Sequence, residues 1–500
     1  RPAVEASGGH ADGRDVARPE RRHVLVAAFA CGPGRGSEPG QGWEMASRLA
    51  ARHDVTALVY SGFRPVIDAE LAARPVPGLR VVYARLPLEN ARHHARGIDR
   101  TGLREQLHYI AWTLATRALV RRLHDAAPFD AAVHASFMRY WSPSPCAALP
   151  AADGQAGGVP FLWGPVGGGE TAPDAFVRAL PLAGRFRARL RETVRALSHA
   201  LPAVRETARH ATLALATTDE SAVRMRRLGA LHVETAQASV ALSDDAFERL
   251  AALGPPPDGP LTFVFMGRLL DWKGVDLGLR AFARACQTAP DALADARFVV
   301  VGDGPERLRL ETLAASLPVR IEFRGALPRD AALAALAEAH VLVHPSLHDS
   351  GGYATLEALA AARAVVCLDL GGPAVQVAAD PEDGSEAVGI AIPAVTPAQA
   401  EADMADALVC LAADAPLRTR LGQAGRARVH ARFRWSALAT DVADHLDGLL
   451  AAPPSTRAVA TPSPGAAAGG GGGPHGDRLR TLPGRAAPAQ TDASHRFAAA

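Results

Sequence analysis

One lysine, Lys273, stands among the 54 basic residues of this 500-residue chain, and all the others are arginine. It lies in GRLLDWKG, Gly267 to Gly274, where a short apolar strand, LTFVFMG, ends and a helix, VDLGLRAFARACQ, begins. Arg268 follows the strand directly and Lys273 comes five residues later, so two cations are set to neutralise a diphosphate from two sides. In a sequence that otherwise uses arginine at every basic position, a lone lysine indicates a need for a compact, flexible ammonium that a planar guanidinium does not meet. The plain alternative is a solvated pair of surface charges.

A second segment, HPSLHDSGGYATLEALAAA, runs from His344 to Ala362. It puts Asp349 at the end of a loop after an apolar strand, Ser350, Gly351 and Gly352 at the mouth of a helix, and Glu357 inside that helix. Free amides at a helix N-terminus meet phosphate. Two carboxylates eight positions apart can accept hydrogen bonds from hydroxyls at the two ends of one elongated ligand, for which sugar and ribose are the obvious donors. The alternative makes Asp349 or Ser350 a helix cap and Glu357 a surface charge.

Three further places in the first half carry chemistry. CGPGRGSEPGQGW, Cys31 to Trp43, leads from a strand into a helix, and its glycines, Gly36 among them, let the backbone approach a phosphate or sugar oxygen, with Glu38 beside it. It is no dinucleotide fingerprint, because Ser37 and Pro39 stand where GxGxxG needs glycine, and no GK[ST] makes it a Walker loop. A tight strand-to-helix turn is the alternative. In WGPVGGGE, Trp163 to Glu170, the backbone of Gly167, Gly168 and Gly169 could line a cleft, while Glu170 either contacts an acceptor or caps a turn. His134 ends the strand in FDAAVHASF, a position that also suits packing or a single hydrogen bond.

The elements that must position these residues alternate regularly. After GPPPDGP (254–260), strands at LTFVFMG, RFVVVGDG, VRIEFRG, VLVHPS and AVVCLDLGG alternate with helices of 10 to 15 residues. The strands are apolar on both faces, which requires a parallel sheet covered on both sides. The first half repeats the pattern at HVLVAAFA, VTALVY, FDAAVHASF, VPFLWGPV and ATLALATT. The expected architecture is α/β, two tandem Rossmann-like doubly wound domains facing a central cleft. The N-terminal domain covers 21–253, the linker 254–260, the C-terminal domain 261–430, and a C-terminal helix at 431–450 packs back on the first domain. Residues 1–20 and 451–500, the latter with the run Gly469 to Gly473, read as disordered tails.

Composition bounds the function. A net charge of +2 excludes a polyanion binder, and 48% hydrophobic residues suffice for two cores. Five scattered cysteines, without CxxC or His/Cys ligand spacing, predict buried thiols in a reducing compartment and no structural zinc. No signal-peptide core and no run of about 18 apolar residues occurs, so a cytoplasmic protein is expected. From Phe176 to Arg209, eight arginines stand against two glutamates, with leucines and Phe186 between them. A solvated helical face is the preferred reading, with a helix on an anionic membrane surface as the alternative. Aromatic residues are too sparse there for nucleic acid.

GRLLDWKG, VVGDGPE and the Asp349-x7-Glu357 stretch, in that order, resemble the retaining GT4-type glycosyltransferases of the GT-B fold. GSEPGQGW, WGPVGGGE and HDSGGYATLEAL sharpen the likeness to a bacterial group 1 subset, over about 25–450. The resemblance implies transfer of a sugar from a nucleoside diphosphate to a glycan or lipid-linked acceptor hydroxyl, in cell-surface or exopolysaccharide synthesis. By that likeness Arg268 and Lys273 bind the diphosphate, Glu357 the ribose, and Asp349 with the Gly351 and Gly352 amides the donor sugar and phosphate. Gly267 and Ser350 belong to the same donor site, His134 lies beside the donor sugar, and the N-terminal domain binds the acceptor. No DxD motif is present, so no metal or other cofactor is expected. The chain departs from the pattern at Asp349, where many relatives have glutamate, and at Ala362 and Ala364, where glycine and proline are usual. A catalytically degenerate partner of a glycan assembly system is the rival reading, and an NAD-dependent oxidoreductase lacks its fingerprint.

Overall fold

The computed structural model describes residues 21–34, 37–86, 103–152, 157–235, 240–380 and 384–451. In its first half, strands β1 (His23–Ala28), β2 (Asp54–Tyr60), β3 (Leu79–Ala84), β4 (Ala131–His134), β5 (Phe161–Val166), β6 (Leu213–Ala216) and β7 (Val233–Thr235) form one parallel sheet. Their order is β3-β2-β1-β4-β5-β6-β7. Around it lie α1 (Ser37–Leu49), α2 (Arg64–Ala73), α3 (Leu103–Ala126), α4 (Asp174–Ala179), α5 (Leu182–Ser198), α6 (Pro202–His210), α7 (Asp219–Leu228) and α8 (Asp244–Ala251).

The second half builds another parallel sheet from β8 (Thr262–Met266), β9 (Arg297–Val301), β10 (Arg320–Gly325), β11 (Val341–His344), β12 (Ala364–Leu368) and β13 (Ile390–Ile392), in the order β10-β9-β8-β11-β12-β13. Its helices are α9 (Val275–Thr288), α10 (Arg307–Ser316), α11 (Arg329–Glu338), α12 (Tyr353–Ala360), α13 (Gly371–Val377), α14 (Pro397–Ala413), α15 (Ala415–Arg432) and α16 (Trp435–Ala451). Central strands such as β1 and β8 are buried along nearly their whole length, as covering both faces of a sheet requires. The edge strands β3 and β7 are only partly buried. β7 and β13 have only three residues each, too few for a clear strand signal, whereas β3, LRVVYA, is apolar at all positions but Arg80.

Both sheets share one topology. The first strand lies inside, the chain winds outwards through the next two strands, then returns to the other side of the first. Such a reversal opens a crevice at the carboxyl ends of the two strands flanking it, here β1 with β4 and β8 with β11. The Gly-rich loop follows β1, His134 ends β4, Arg268 follows β8, and Asp349 follows β11. These positions therefore fall at the two switch points, whereas Gly167, Gly168, Gly169 and Glu170 follow β5, one strand further along the first sheet.

The domains are joined in more than one place. The linker's first carbonyl, Gly254 O, accepts 2.8 Å from Nη2 of the buried Arg363, which also reaches Ala337 O at 3.0 Å. Burial, with Arg426 nearby, pushes this guanidinium down to about 10. The chain returns at Phe433 to Trp435, which brackets Leu242 by two backbone hydrogen bonds of 2.8 and 2.9 Å. Helix α16 then packs on α1, where Arg52 pairs with Asp444 and Asp447 at 2.5 and 3.3 Å. In the opposite direction, Phe176 of α4 is part of the second domain's hydrophobic core. Cys31, Cys146 and Cys367 are buried free thiols, whereas Cys286 and Cys410 are half-buried.

Candidate active site

The loop after β8 is held tightly against the loop after β11. Gly274 has φ +63°, and a Cβ there would come within 2.1 Å of Pro345 O, so only glycine fits. Gly267, φ +151°, turns the chain out of β8 and leaves Arg268 exposed, with no ion pair among the described residues. Lys273 points elsewhere. Its Nζ lies 2.5 Å from Asp349 Oδ2, and both side chains are more than four-fifths buried.

Asp349 is the hub of this loop. His344 Nε2 lies 3.0 Å from the same Oδ2, while Oδ1 accepts the amides of Gly351 and Gly352 at 3.2 and 2.9 Å. Burial alone would raise this carboxyl, but His344 and Lys273 together hold it well below the usual carboxylate range. Burial lowers His344 against the pull of Asp349, so the ring is neutral, and since an ionised carboxylate only accepts, Nε2 carries the proton. Two sequence readings meet here. The amides of Gly351 and Gly352 are occupied by Asp349 itself rather than left open, and Asp349 does cap the chain ahead of α12. Lys273 still has two N–H donors that Asp349 does not use.

Glu357, on α12, is paired with Arg329 at the start of α11 and is mostly buried. His134 is buried at the end of β4, with the backbone of Phe137 beside its ring. Burial pushes it down to about 4, so it is neutral. Glu38 sits half-buried in the first turn of α1, where burial raises its carboxyl against the opposing pull of Arg139. Arg139 is itself held by Gln106 Oε1 at 2.9 Å and lies over the rings of Phe137 and Trp141. Gly36 lies outside the described residues, as do the tails 1–20 and 452–500.

Glu170 neither lies open to the cleft nor caps a simple turn. It is buried, with Oε2 accepting from Gly168 N at 3.1 Å and from Ser350 Oγ at 2.7 Å, and Oε1 from Thr218 and Ser221, both at 3.2 Å. Ser350 is thereby tied across the domain boundary. The amides of Gly167 and Gly169 are also spent, on Met138 O and Ser221 Oγ at 2.9 and 3.0 Å. A Cβ on Gly167 would lie 2.7 Å from Thr217 Oγ1 and 3.2 Å from Ser350 Cβ, so glycine here makes room within its own domain first and for the Asp349 loop second.

In the basic stretch 176–209, Arg178, Arg187, Arg189, Arg205 and Arg209 are exposed, as a solvated face requires, while other arginines are engaged with the protein. On α5, Arg187 reaches Asp271 at 2.7 Å while half exposed, Arg191 lies 4.9 Å over the Trp272 ring, and Arg195 donates to Glu170 O at 3.0 Å. The outward face carries Leu182, Phe186, Leu190 and Leu197, at 81%, 68%, 49% and 65% exposure. Helical rotation separates side chains that the sequence interleaves. Asp271, His344 and Arg187 were not singled out from sequence; Asp271 sits inside GRLLDWKG, and His344 closes β11 two residues before the loop. Among the described residues no cluster of His, Cys, Asp and Glu is arranged to hold a metal, and no helix is long and apolar enough to cross a membrane.

Residues 248–428, from the last helix of the first domain through the second switch point, match the family model "Glycosyl transferases group 1". The C-terminal domain belongs to the group 1 glycosyltransferases. Among curated relatives, a D-inositol 3-phosphate glycosyltransferase of Streptomyces bingchenggensis is 36% identical over 202 residues, 39% of this chain and 42% of that protein. A GDP-mannose-dependent alpha-(1-6)-phosphatidylinositol dimannoside mannosyltransferase of Mycobacterium tuberculosis is 42% identical over 101 residues, 20% of this chain and 25% of that one. Such matches thus span less than half of these relatives' length. The whole two-domain arrangement is similar to sucrose-phosphate synthase from Thermosynechococcus elongatus, with a TM-score of 0.54 at 18% identity, covering 86% of this chain and 100% of that one. The two-domain fold is therefore GT-B.

Proposed function

We propose that the protein is a retaining glycosyltransferase that moves a sugar from a nucleoside diphosphate to an acceptor hydroxyl. The observation that carries the reading is the convergence of Arg268, Lys273 and the Asp349 loop at the carboxyl ends of β8 and β11, where the loop meets the first domain through Ser350 and Glu170. Arg268 is exposed and has no ion pair among the described residues, and Lys273 keeps two donors, so both are available to a diphosphate. Glu357, paired with Arg329, would accept from ribose hydroxyls.

In the step itself, the bond from the sugar C1 to the diphosphate oxygen breaks and a bond from C1 to the acceptor oxygen forms on the same face. The acceptor proton leaves on the departing diphosphate. The protein stabilises charge that develops on the leaving group, with Arg268 and Lys273 doing what a metal does elsewhere. No protein carboxylate is needed as nucleophile, which sets the reaction apart from paired-carboxylate glycoside hydrolysis. The outward apolar face of α5, flanked by arginines, supports a peripheral contact with an anionic membrane surface and a role in cell-surface glycan synthesis.

The test is transfer of label from a panel of UDP-, GDP- and ADP-sugars, with and without EDTA. Full activity in EDTA and its loss in Lys273→Ala and Arg268→Gln are expected. A divalent-metal requirement would overturn the charge account. For the membrane contact, Leu182→Gln/Phe186→Gln is expected to abolish flotation with anionic liposomes at low salt, and unchanged flotation would remove it.

A further inference from the structure

Beside the Asp349 loop lies a pocket of about 760 Å³ between α4, α5 and His348. Arg178, Arg189, Arg191 and Arg195 line it. Two of its three carboxylates are already engaged: both Glu170 oxygens accept hydrogen bonds from serine, threonine or backbone donors, and Glu192 is shared between Arg195 at 2.6 Å and Arg224 at 3.4 Å, which leaves the exposed Asp174 against four arginines. Arg178 and Arg189 are exposed and have no ion pair among the described residues, and Arg191 rests on Trp272. Two buried polar atoms beside the pocket also lack partners among the described residues, Nε of Arg195, which is 2% exposed, and Nδ1 of His348. Arginines that exceed the free carboxylates, together with buried groups unsatisfied by the protein, are an incomplete set that an anion completes.

We propose that this pocket is an anion subsite that receives a phosphate group carried by the acceptor. A phosphate offers several acceptor oxygens at once, which suits guanidinium groups arriving from two helices better than a carboxylate with two oxygens. The location gives the subsite its purpose. His348 is the residue before Asp349, so an acceptor anchored here by its phosphate presents its hydroxyls next to the loop that Lys273 organises. The proposal rests on the glycosyltransferase reading for what is anchored, but not for whether an anion binds.

The experiment is a 31P NMR titration of the full chain with inorganic phosphate. Arg178→Gln/Arg189→Gln, which alters only exposed unpaired side chains, is expected to weaken phosphate binding by about tenfold or more, and Arg191→Gln to do the same. Arg268→Gln is expected to leave this component in place, since it touches only the donor side. Phosphate binding that is equal in wild type, in Arg178→Gln/Arg189→Gln and in Arg191→Gln, or that vanishes with Arg268→Gln alone, overturns the proposal, as does a wild-type chain that binds none. Vesicles of phosphatidylcholine with phosphatidylglycerol separate the sources. Competition with inorganic phosphate supports a lipid headgroup in the subsite, and absence of competition supports a free phosphorylated acceptor. Failure of the donor reading looks different: no sugar nucleotide binds, while the phosphate component still depends on Arg178, Arg189 and Arg191.

Discussion

Replacing Lys273 by methionine keeps the side chain's stem but removes the ammonium that lies 2.5 Å from Asp349. The carboxylate is then left with His344 and two backbone amides in a loop where its side chain is 17% exposed. Breaking a fully buried pair costs about 3–5 kcal/mol and an exposed one about 0–1 kcal/mol, so this mostly buried pair should cost about 2–3 kcal/mol. In an Asp349→Asn background no charge is stranded, and Lys273→Met should then cost under about 1 kcal/mol. A double-mutant cycle of urea unfolding at pH 7 measures the difference. The pH dependence follows from the sign of the shift. The folded carboxyl is held below its unfolded value of about 3.9, so the coupling is fully present above that value and fades as the pH falls through the folded one. An equal cost of Lys273→Met in both backgrounds would refute the claim that the lone lysine organises the loop through Asp349.

Two other residues give independent checks. His134 is held neutral in the fold at about 4 against 6.5 when unfolded, so the unfolded state gains a proton first and stability falls as the pH drops from 7 to 5. His134→Gln should remove about 2 kcal/mol of that pH dependence in denaturant titrations, and an unchanged slope would mean that the ring protonates within the fold. Ala362 has φ +56° at the end of α12, a left-handed backbone that disfavours any side chain with a Cβ. Ala362→Gly should therefore raise stability by about 1 kcal/mol, read as a higher urea midpoint, and a lower midpoint would show that the alanine methyl packs usefully.

Much of the site was legible because strand ends announce themselves. LTFVFMG, VLVHPS and FDAAVHASF are short apolar runs, and the polar residue that follows or ends each one lands at a switch point. What stayed hidden needed distance. Glu170 gained its role from Ser350, Thr218 and Ser221, which lie on other elements up to 180 positions away, and nothing local marks it as a bond between domains. Asp349 could be weighed as ligand or cap, yet only folding shows that it takes up Lys273, His344 and two amides together. The stretch 176–209 was half legible because composition counts arginines, whereas a helix sorts them: Arg191 and Arg195 are held against protein, Arg187 reaches Asp271 while half exposed, and Leu182, Leu190 and Leu197 face out. Residues 103–126 form the long helix α3, whose outer side shows Leu107 and Leu114 and so gives no clean amphipathic signal.

The account's central claim is that Arg268 and Lys273, at the switch point of the second sheet, bind the diphosphate of a sugar nucleotide. Thermal unfolding of the full chain against UDP-, GDP- and ADP-sugars tests it most directly, because a ligand bound only by the native state raises the melting temperature. At least one donor should raise the wild-type value at saturation, and the rise should vanish in Arg268→Gln and in Lys273→Met. A chain that responds to none of them, or a rise that survives both substitutions, would contradict it.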